Sequence, residues 1–197
     1  TPENTKANIA SGQLARRYRL PYRTTPGSAS NAADAQGTWE TMMALWGAIL
    51  GHGNLIYHAA GWQEGGLTAS FEKFIIDVEL IQHMMEFLKP IEVNEGELAL
   101  DALGAVPTGG HFFGEPHTLE RYATAFYQPL ISDWRNFNQW QAAGSPEAAQ
   151  KANGLWKQAL AEYREPALDP TAAEAIDTFV ARRIAEGGAE SDIALAK

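Results

Sequence analysis

The stretch from Asn54 to Leu88 constrains this chain more than any other, because it holds three different signals in a fixed order. Asn54-Leu55-Ile56-Tyr57-His58-Ala59-Ala60 is a short apolar run suited to a strand buried on both faces. Gly61-Trp62-Gln63-Glu64-Gly65-Gly66 reads as a loop. From about Ala69 to Leu88 the pattern is helical. Phe71, Phe74, Ile75, Val78, Ile81, Met85 and Leu88 form an apolar stripe, and Glu72, Lys73, Glu79 and Glu86 are expected to turn outward. Strand, loop and helix in that order make one βα unit.

A second such unit precedes it. A helix is expected from Pro2 to about Tyr18, with Ala7, Ala10, Leu14 and Tyr18 on one face. Leu20-Pro21-Tyr22-Arg23 follows as a short extended segment, and Thr24 to Asn31 as a loop. The next helix runs from about Asp34 to Leu50, apolar nearly all round, and ends at Gly51 and Gly53. Two βα units point to an α/β fold with a parallel sheet, the geometry of a TIM-type (β/α)8 barrel. Two strands cannot close a barrel, so the chain is expected to supply its C-terminal sector, residues 1–90.

Residues 91–197 are expected to be a helical extension. Helices are predicted near Asn94–Leu103, Pro116–Ala125, Asn136–Ala142, Ser145–Tyr163 and Asp169–Ala185. Ser145-Pro146 and Asp169-Pro170 each place a capping residue before a proline. Gly187 to Lys197 is expected to be a loose tail. At the other end, Thr1-Pro2-Glu3 reads as a helix cap without an initiator Met, as in a processed or truncated piece of something longer.

Composition removes several functions. A formal net charge of −9 argues against nucleic-acid binding, which rests on clustered Lys and Arg. With no cysteine there are no disulfides, thiolate metal sites or thiol nucleophile, which fits a cytoplasmic protein. No run reaches the ~20 apolar residues of a membrane span.

Chemistry in such folds sits where strands end and βα loops begin. That selects Tyr22 and Arg23 before the first loop, then Tyr57, His58, Trp62 and Glu64 around the second. His58 can be a proton shuttle or a ligand-orienting donor, or a core histidine bonded to backbone. Glu64 can be a general base or a partner for a cation, or a solvated loop carboxylate. Trp62 and Tyr57 can wall a quaternary ammonium group through cation–π attraction, or simply pack. His52 and His58 lack metal-ligand spacing, and no bound metal is expected. The turn Gly109-Gly-His-Phe-Phe-Gly-Glu-Pro-His117 is read as packing its phenylalanines and capping the next helix, with metal binding as the alternative.

Several ordered motifs carry a resemblance. Asn54-Leu-Ile-Tyr-His-Ala-Ala-Gly61, Glu64-Gly-Gly-Leu-Thr-Ala-Ser70, Gly109-Gly-His-Phe-Phe-Gly114, His117-Thr-Leu-Glu120 and Asp34-Ala-Gln36 look like the C-terminal half of the trimethylamine methyltransferase family. The resemblance implies transfer of a methyl group from a methylamine to the cobalt of a separate corrinoid (cobalamin) protein. Members acting on trimethylamine carry pyrrolysine in the loop before Asp34, at the position of Gly27 here. Glycine there resembles the pyrrolysine-free branch, which acts on quaternary amines such as glycine betaine. The implied roles are Glu64 and His58 as catalytic residues, with Tyr22, Arg23, Gly27, Tyr57 and Trp62 binding substrate. The resemblance also implies that the chain is inactive without the rest of the barrel. Apolar surface left bare is expected to pair with that N-terminal barrel portion or to drive homo-oligomerisation. A helical interaction module without chemistry is the competing reading, as is a barrel fragment of different chemistry.

Overall fold

The computed structural model describes residues 1–187. Helix α1, Pro2–Tyr18, is capped by the Thr1 hydroxyl and stopped by Arg19, whose φ of 58° breaks the helix. It packs on helix α2, Ala35–Leu50, through small and polar residues. A Cβ built on Gly12 would lie 1.9 Å from the Gly51 carbonyl oxygen, so the backbones touch there and only glycine fits. Thr5 donates to the Met43 carbonyl at 3.2 Å, and Arg16 donates to that of Gly51 at 2.8 Å. The expected stripe of Ala7, Ala10, Leu14 and Tyr18 is instead exposed. Close backbone approach selects the face with the smallest side chains, and the apolar stripe is left outside.

Strand β1, Arg23–Thr24, pairs in parallel with β2, Leu55–Ile56, with α2 between them in the chain. This is the parallel βαβ connection that the pattern predicts. The second strand is far shorter than the run Asn54–Ala60, because His58 takes a left-handed φ of 56° and turns the chain away. Nor is it buried on both faces, since Leu55 is 54% and Tyr57 44% exposed. The expected loop 61–66 holds structure of its own. Strand β3, Trp62–Gln63, pairs antiparallel with β4, Thr68–Ala69, around a 3-10 turn at Glu64–Gly66.

Helix α3, Phe71–Phe87, is capped by Ser70 and presents a different face from the one its apolar stripe predicts. Lys73, Ile76, Asp77, Glu79, Leu80 and Met84 are buried, whereas Phe71, Phe74, Met85 and Leu88 are exposed. The reason is electrostatic pairing. Lys73 donates to Asp77 one turn along the helix and to Thr41 of α2 at 2.8 Å. Lys73 also lies against Gly37, where an added Cβ would meet its Cε at 2.9 Å. Buried charges are tolerated when paired and hydrogen-bonded in this way. Leu45, Leu80 and Met84 form the adjoining apolar core between α2 and α3.

The remaining helices are short up to α8. They are α4 Glu95–Leu98, α5 Leu100–Ala105, α6 Pro116–Arg121, α7 Phe137–Ala142 and α8 Ala148–Glu162. The single helix expected over Asn94–Leu103 is broken at Ala99, which has a φ of 49°. The one expected from Pro116 to Ala125 stops at Arg121. Ser145 is left-handed at φ 51°, so α8 begins at Ala148, after Ser145-Pro146-Glu147. Two carboxylates expected to face water bind this part to α3. Glu79 accepts from the Ile131 and Ser132 amides at 2.6 and 3.1 Å, and Glu72 accepts from Asn153 and the Trp156 indole at 2.7 and 2.8 Å.

The chain divides into two compact units, the first being Thr1–Leu160. The second starts at Ala161 and carries α9, Pro170–Ala185, capped by Asp169 as its Asp-Pro signal predicts. Apart from Gly187, the expected tail lies outside the described residues. The fold is helix-dominated α/β with few, very short strands. Among the described residues no helix is long and apolar enough to cross a membrane.

Candidate functional site

The two strand ends bring their loops together. Thr25 donates to the Tyr57 carbonyl at 2.6 Å. Glu64 N–H donates to Ser30 at 3.0 Å, and Gly65 N–H to Ser28 at 2.9 Å. Asn8 of α1 stands beneath, its Oδ1 accepting from the Tyr22 hydroxyl at 3.0 Å and from Thr24 at 2.8 Å. Tyr22 is therefore fixed by its hydroxyl, and its ring supports the strand end.

Above this base runs a row of stacked groups. The Arg23 guanidinium lies 4.4 Å from the centre of the Tyr57 ring. Tyr57 and His58 have centroids 3.7 Å apart, and His58 stacks on Trp62 at 3.6 Å with planes 24° apart. Burial, and then the Arg23 charge, lower the His58 pKa. The imidazole is thus neutral at neutral pH and able either to donate or to accept. His58 fills the space between Tyr57 and Trp62, so those two rings do not face each other as the walls of one cage. A left-handed backbone at a residue other than glycine costs of order 1 kcal/mol. His58 and Glu64 both adopt it, at φ 56° and 50°.

Beside the row is a cleft of about 460 Å³, lined among others by Asn8, Arg23, Thr25, Ser28, Glu40 and Trp62. Gly27 also lines it, and a Cβ added there would meet nothing within 4 Å. Glu64 is exposed on its turn, next to the cleft-lining Gly65. The cleft thus offers one guanidinium, one carboxylate and an indole, a set suited to a small molecule with a cationic and an anionic end.

Two anchoring residues have no counterpart among the sequence candidates. Glu40 of α2 receives donors from the Gly27–Ser30 loop. Burial raises its pKa, but hydrogen bonds from Gln36, Ala29, Ser28 and Ser30 outweigh that and hold it below the ordinary value. Asp77 accepts from the Gly61 amide at 2.9 Å, which ties the turn before Trp62 to the buried Lys73 pair. Burial pushes the Asp77 pKa up, opposed by Lys73. The i,i+4 spacing of Lys73 and Asp77 was a usable signal, but it reads equally as a solvated helix face. Glu40 left no signal, because its partners lie ten to twelve positions back in a loop.

The other histidines stand apart. His52 is exposed. His117 contacts the Gly96 carbonyl at 3.0 Å and His111 contacts Phe113. Phe112 and Phe113 are 40% and 78% exposed in this chain. Among the described residues no three His, Asp or Glu side chains are placed to share a metal ion.

Parallel strand ends with an aromatic row beside a polar cleft lie where α/β folds carry their small-molecule sites. The trimethylamine methyltransferase (MTTB) family model matches residues 1–188, and the chain belongs to that family. It is 37% identical to a glycine betaine methyltransferase of Desulfitobacterium hafniense over 96% of this chain and 40% of that protein. It is 31% identical to the trimethylamine methyltransferase MttB of the same species, over 77% of this chain and 30% of the relative. Against MttB2 of Methanosarcina mazei the identity is 32%, over 86% and 34% respectively. The chain therefore spans 40% or less of the length of these relatives.

Proposed function

We propose that the chain forms the substrate-facing C-terminal sector of a TIM-type barrel, with its helical extension, in a methyltransferase. It takes a methyl group from a quaternary or tertiary methylamine, such as glycine betaine or trimethylamine, and delivers it to the Co(I) of a corrinoid protein. The observation that carries this reading is the Arg23–Tyr57–His58–Trp62 row beside a cleft that also holds Glu40. The two relatives from Desulfitobacterium, a glycine betaine and a trimethylamine methyltransferase, support the choice of donor.

In this reaction the carbon–nitrogen bond breaks as the carbon–cobalt bond forms, and the electron pair of the broken bond stays on nitrogen. A quaternary ammonium donor leaves as a neutral amine, so no general acid is required. Nor need the protein provide a nucleophile, since the acceptor is one. The work left to this chain is alignment. The Trp62 face and the Glu64 carboxylate attract the methylated cation, and Glu40 holds the loop beside them. Arg23 and neutral His58 hold a carboxylate where the donor has one, and Gly27 leaves the loop open for it. The glycine itself, standing where the resemblance places pyrrolysine, supports the quaternary-amine branch over the pyrrolysine-bearing one. The exposed Leu14, Tyr18, Trp39 and Phe74 support packing against further barrel wall or a second copy.

The test is a methyl-transfer screen of quaternary and tertiary amines with cob(I)alamin, using the full reading frame. Glu64→Ala is expected to lower transfer about tenfold or more, the scale of one lost charge contact to a bound cation. An unchanged rate removes Glu64 from the site.

A further inference from the structure

The sequence candidates left Glu40 out, yet it holds more of the site in place than any of them. Its Oε2 accepts from the Ser28 hydroxyl at 2.9 Å, the Ala29 amide at 2.8 Å and the Ser30 amide at 3.1 Å. Its Oε1 accepts from the Gln36 side chain at 3.0 Å. On its other side, the Ser28–Ala29 peptide unit accepts from the next loop, and so does the carbonyl of Ser30 itself. The Ser28 and Ser30 carbonyls bind the amides of Gly65 and Glu64 at 2.9 and 3.0 Å. Ser28 and Ser30 are 1% and 2% exposed, which keeps water from their side of these bonds. Ser30 is further held by its hydroxyl, which donates to Asp34 or Ala32 and accepts from the Ala32 amide.

We infer that Glu40 is a positioning residue: its carboxylate sets the Ser28–Ser30 loop, and through that loop it sets the backbone of Glu64 and Gly65. Glu40 does not touch Glu64 itself. The loop is a rigid spacer whose amides face α2 and whose carbonyls face the 3-10 turn. Such a spacer transmits position because the Ser28–Ala29 peptide plane is fixed at both ends and Ser30 is held by its amide on one side and its carbonyl on the other. It also accounts for Glu64 keeping its left-handed backbone, since the amide of Glu64 is spent on Ser30. The consequence for chemistry rests on the methyltransferase reading above; the structural claim does not.

The experiment separates position from charge with two variants of this chain. Glu40→Gln keeps the length and an acceptor oxygen while removing the charge. Glu40→Asp keeps the charge and withdraws it by one methylene. Amide hydrogen exchange is read at Glu64 and Gly65, with Leu80 in the α2–α3 core as an internal control. Glu40→Asp is expected to speed exchange at Glu64 and Gly65 about tenfold while Leu80 is unchanged, and Glu40→Gln to stay within about threefold of the parent. Unchanged protection at Glu64 and Gly65 in Glu40→Asp overturns the inference. So does loss of protection in Glu40→Gln larger than that in Glu40→Asp, which makes the charge the determinant. In the full reading frame, Glu40→Asp is then expected to lower kcat about tenfold, with Glu40→Gln partly rescuing it. Exchange that follows the expectation in a protein that transfers no methyl group overturns the functional reading and leaves the positioning role standing.

Discussion

Two turns of this chain look alike as strings of residues. His58–Gly66 and Gly109–His117 are both rich in glycine, both carry histidine, aromatic residues and one glutamate, and both belong to the motifs that mark the family. The fold treats them differently. In the first, the amides of Gly61, Glu64 and Gly65 are bound by residues distant in sequence, namely Asp77, Ser30 and Ser28. In the second, the amide bonds are local, Gly110 to Pro107 and Glu115 to Phe112. The amides of one turn are built into the βαβ unit, while those of the other bond locally and its reach outside is the exposed His117–Gly96 contact. A motif organises a site when remote parts of the chain hold it still, and glycine and histidine content does not report that.

The comparison breaks most readily at Asp77. Asp77→Ala strands the buried Lys73 ammonium and frees the Gly61 amide. It is expected to lower unfolding free energy by at least ~3 kcal/mol in a denaturant titration. A loss below ~1 kcal/mol would place the first turn in the same class as the second.

A smaller effect is expected at the site itself. His58→Ala removes the middle of the stacked row and is expected to lower methyl transfer in the full reading frame about tenfold. The same change at His111 is expected to leave the rate within about twofold. Equal losses at both positions would erase the distinction between the turns.

The anchored side is also readable by pH. Glu72 is held at a pKa of about 2 by donors from Asn153 and Trp156 and by Ser70. Its folded pKa is lower than its unfolded one. The stabilisation is therefore fully present above the ordinary glutamate range near 4.5, and is lost as pH falls toward 2. The Trp156 indole N–H resonance should keep its position down to that range and titrate below it; Glu72→Gln should abolish the titration. A midpoint at the ordinary value would show that α8 is not tied to α3 by this carboxylate.

The smallest change is expected at the second turn, where His117→Ala removes one exposed contact to Gly96. The cost is expected to stay below ~1 kcal/mol in the same denaturant assay. A larger cost would reveal anchoring that the local bonds do not account for.

How far these regions were legible follows from the range of the forces involved. Helix starts at Thr1, Asp34 and Asp169 were readable because a cap and the amides it binds sit within three residues. The strand-end set of Arg23, Tyr57, His58 and Trp62 was readable because strand ends and βα loops put it there, and the fold does stack those four. The buried face of α3 was not. Its Phe71, Phe74 and Met85 make the better apolar stripe, and only the pairing of Lys73 with Thr41 and Asp77 brings the charged face inside. Glu40 and Glu79 escaped for the same reason. Each binds backbone amides that are far away in the chain or uninformative in type.

Lys73 has a side chain with no exposure to solvent. Amine-directed reagents act on the free, accessible base, so mild acylation should label surface lysines such as Lys89 and pass Lys73 by. Its labelling would then record each parting of α2 from α3, and the rate would time an opening that leaves the strand-end row without its floor.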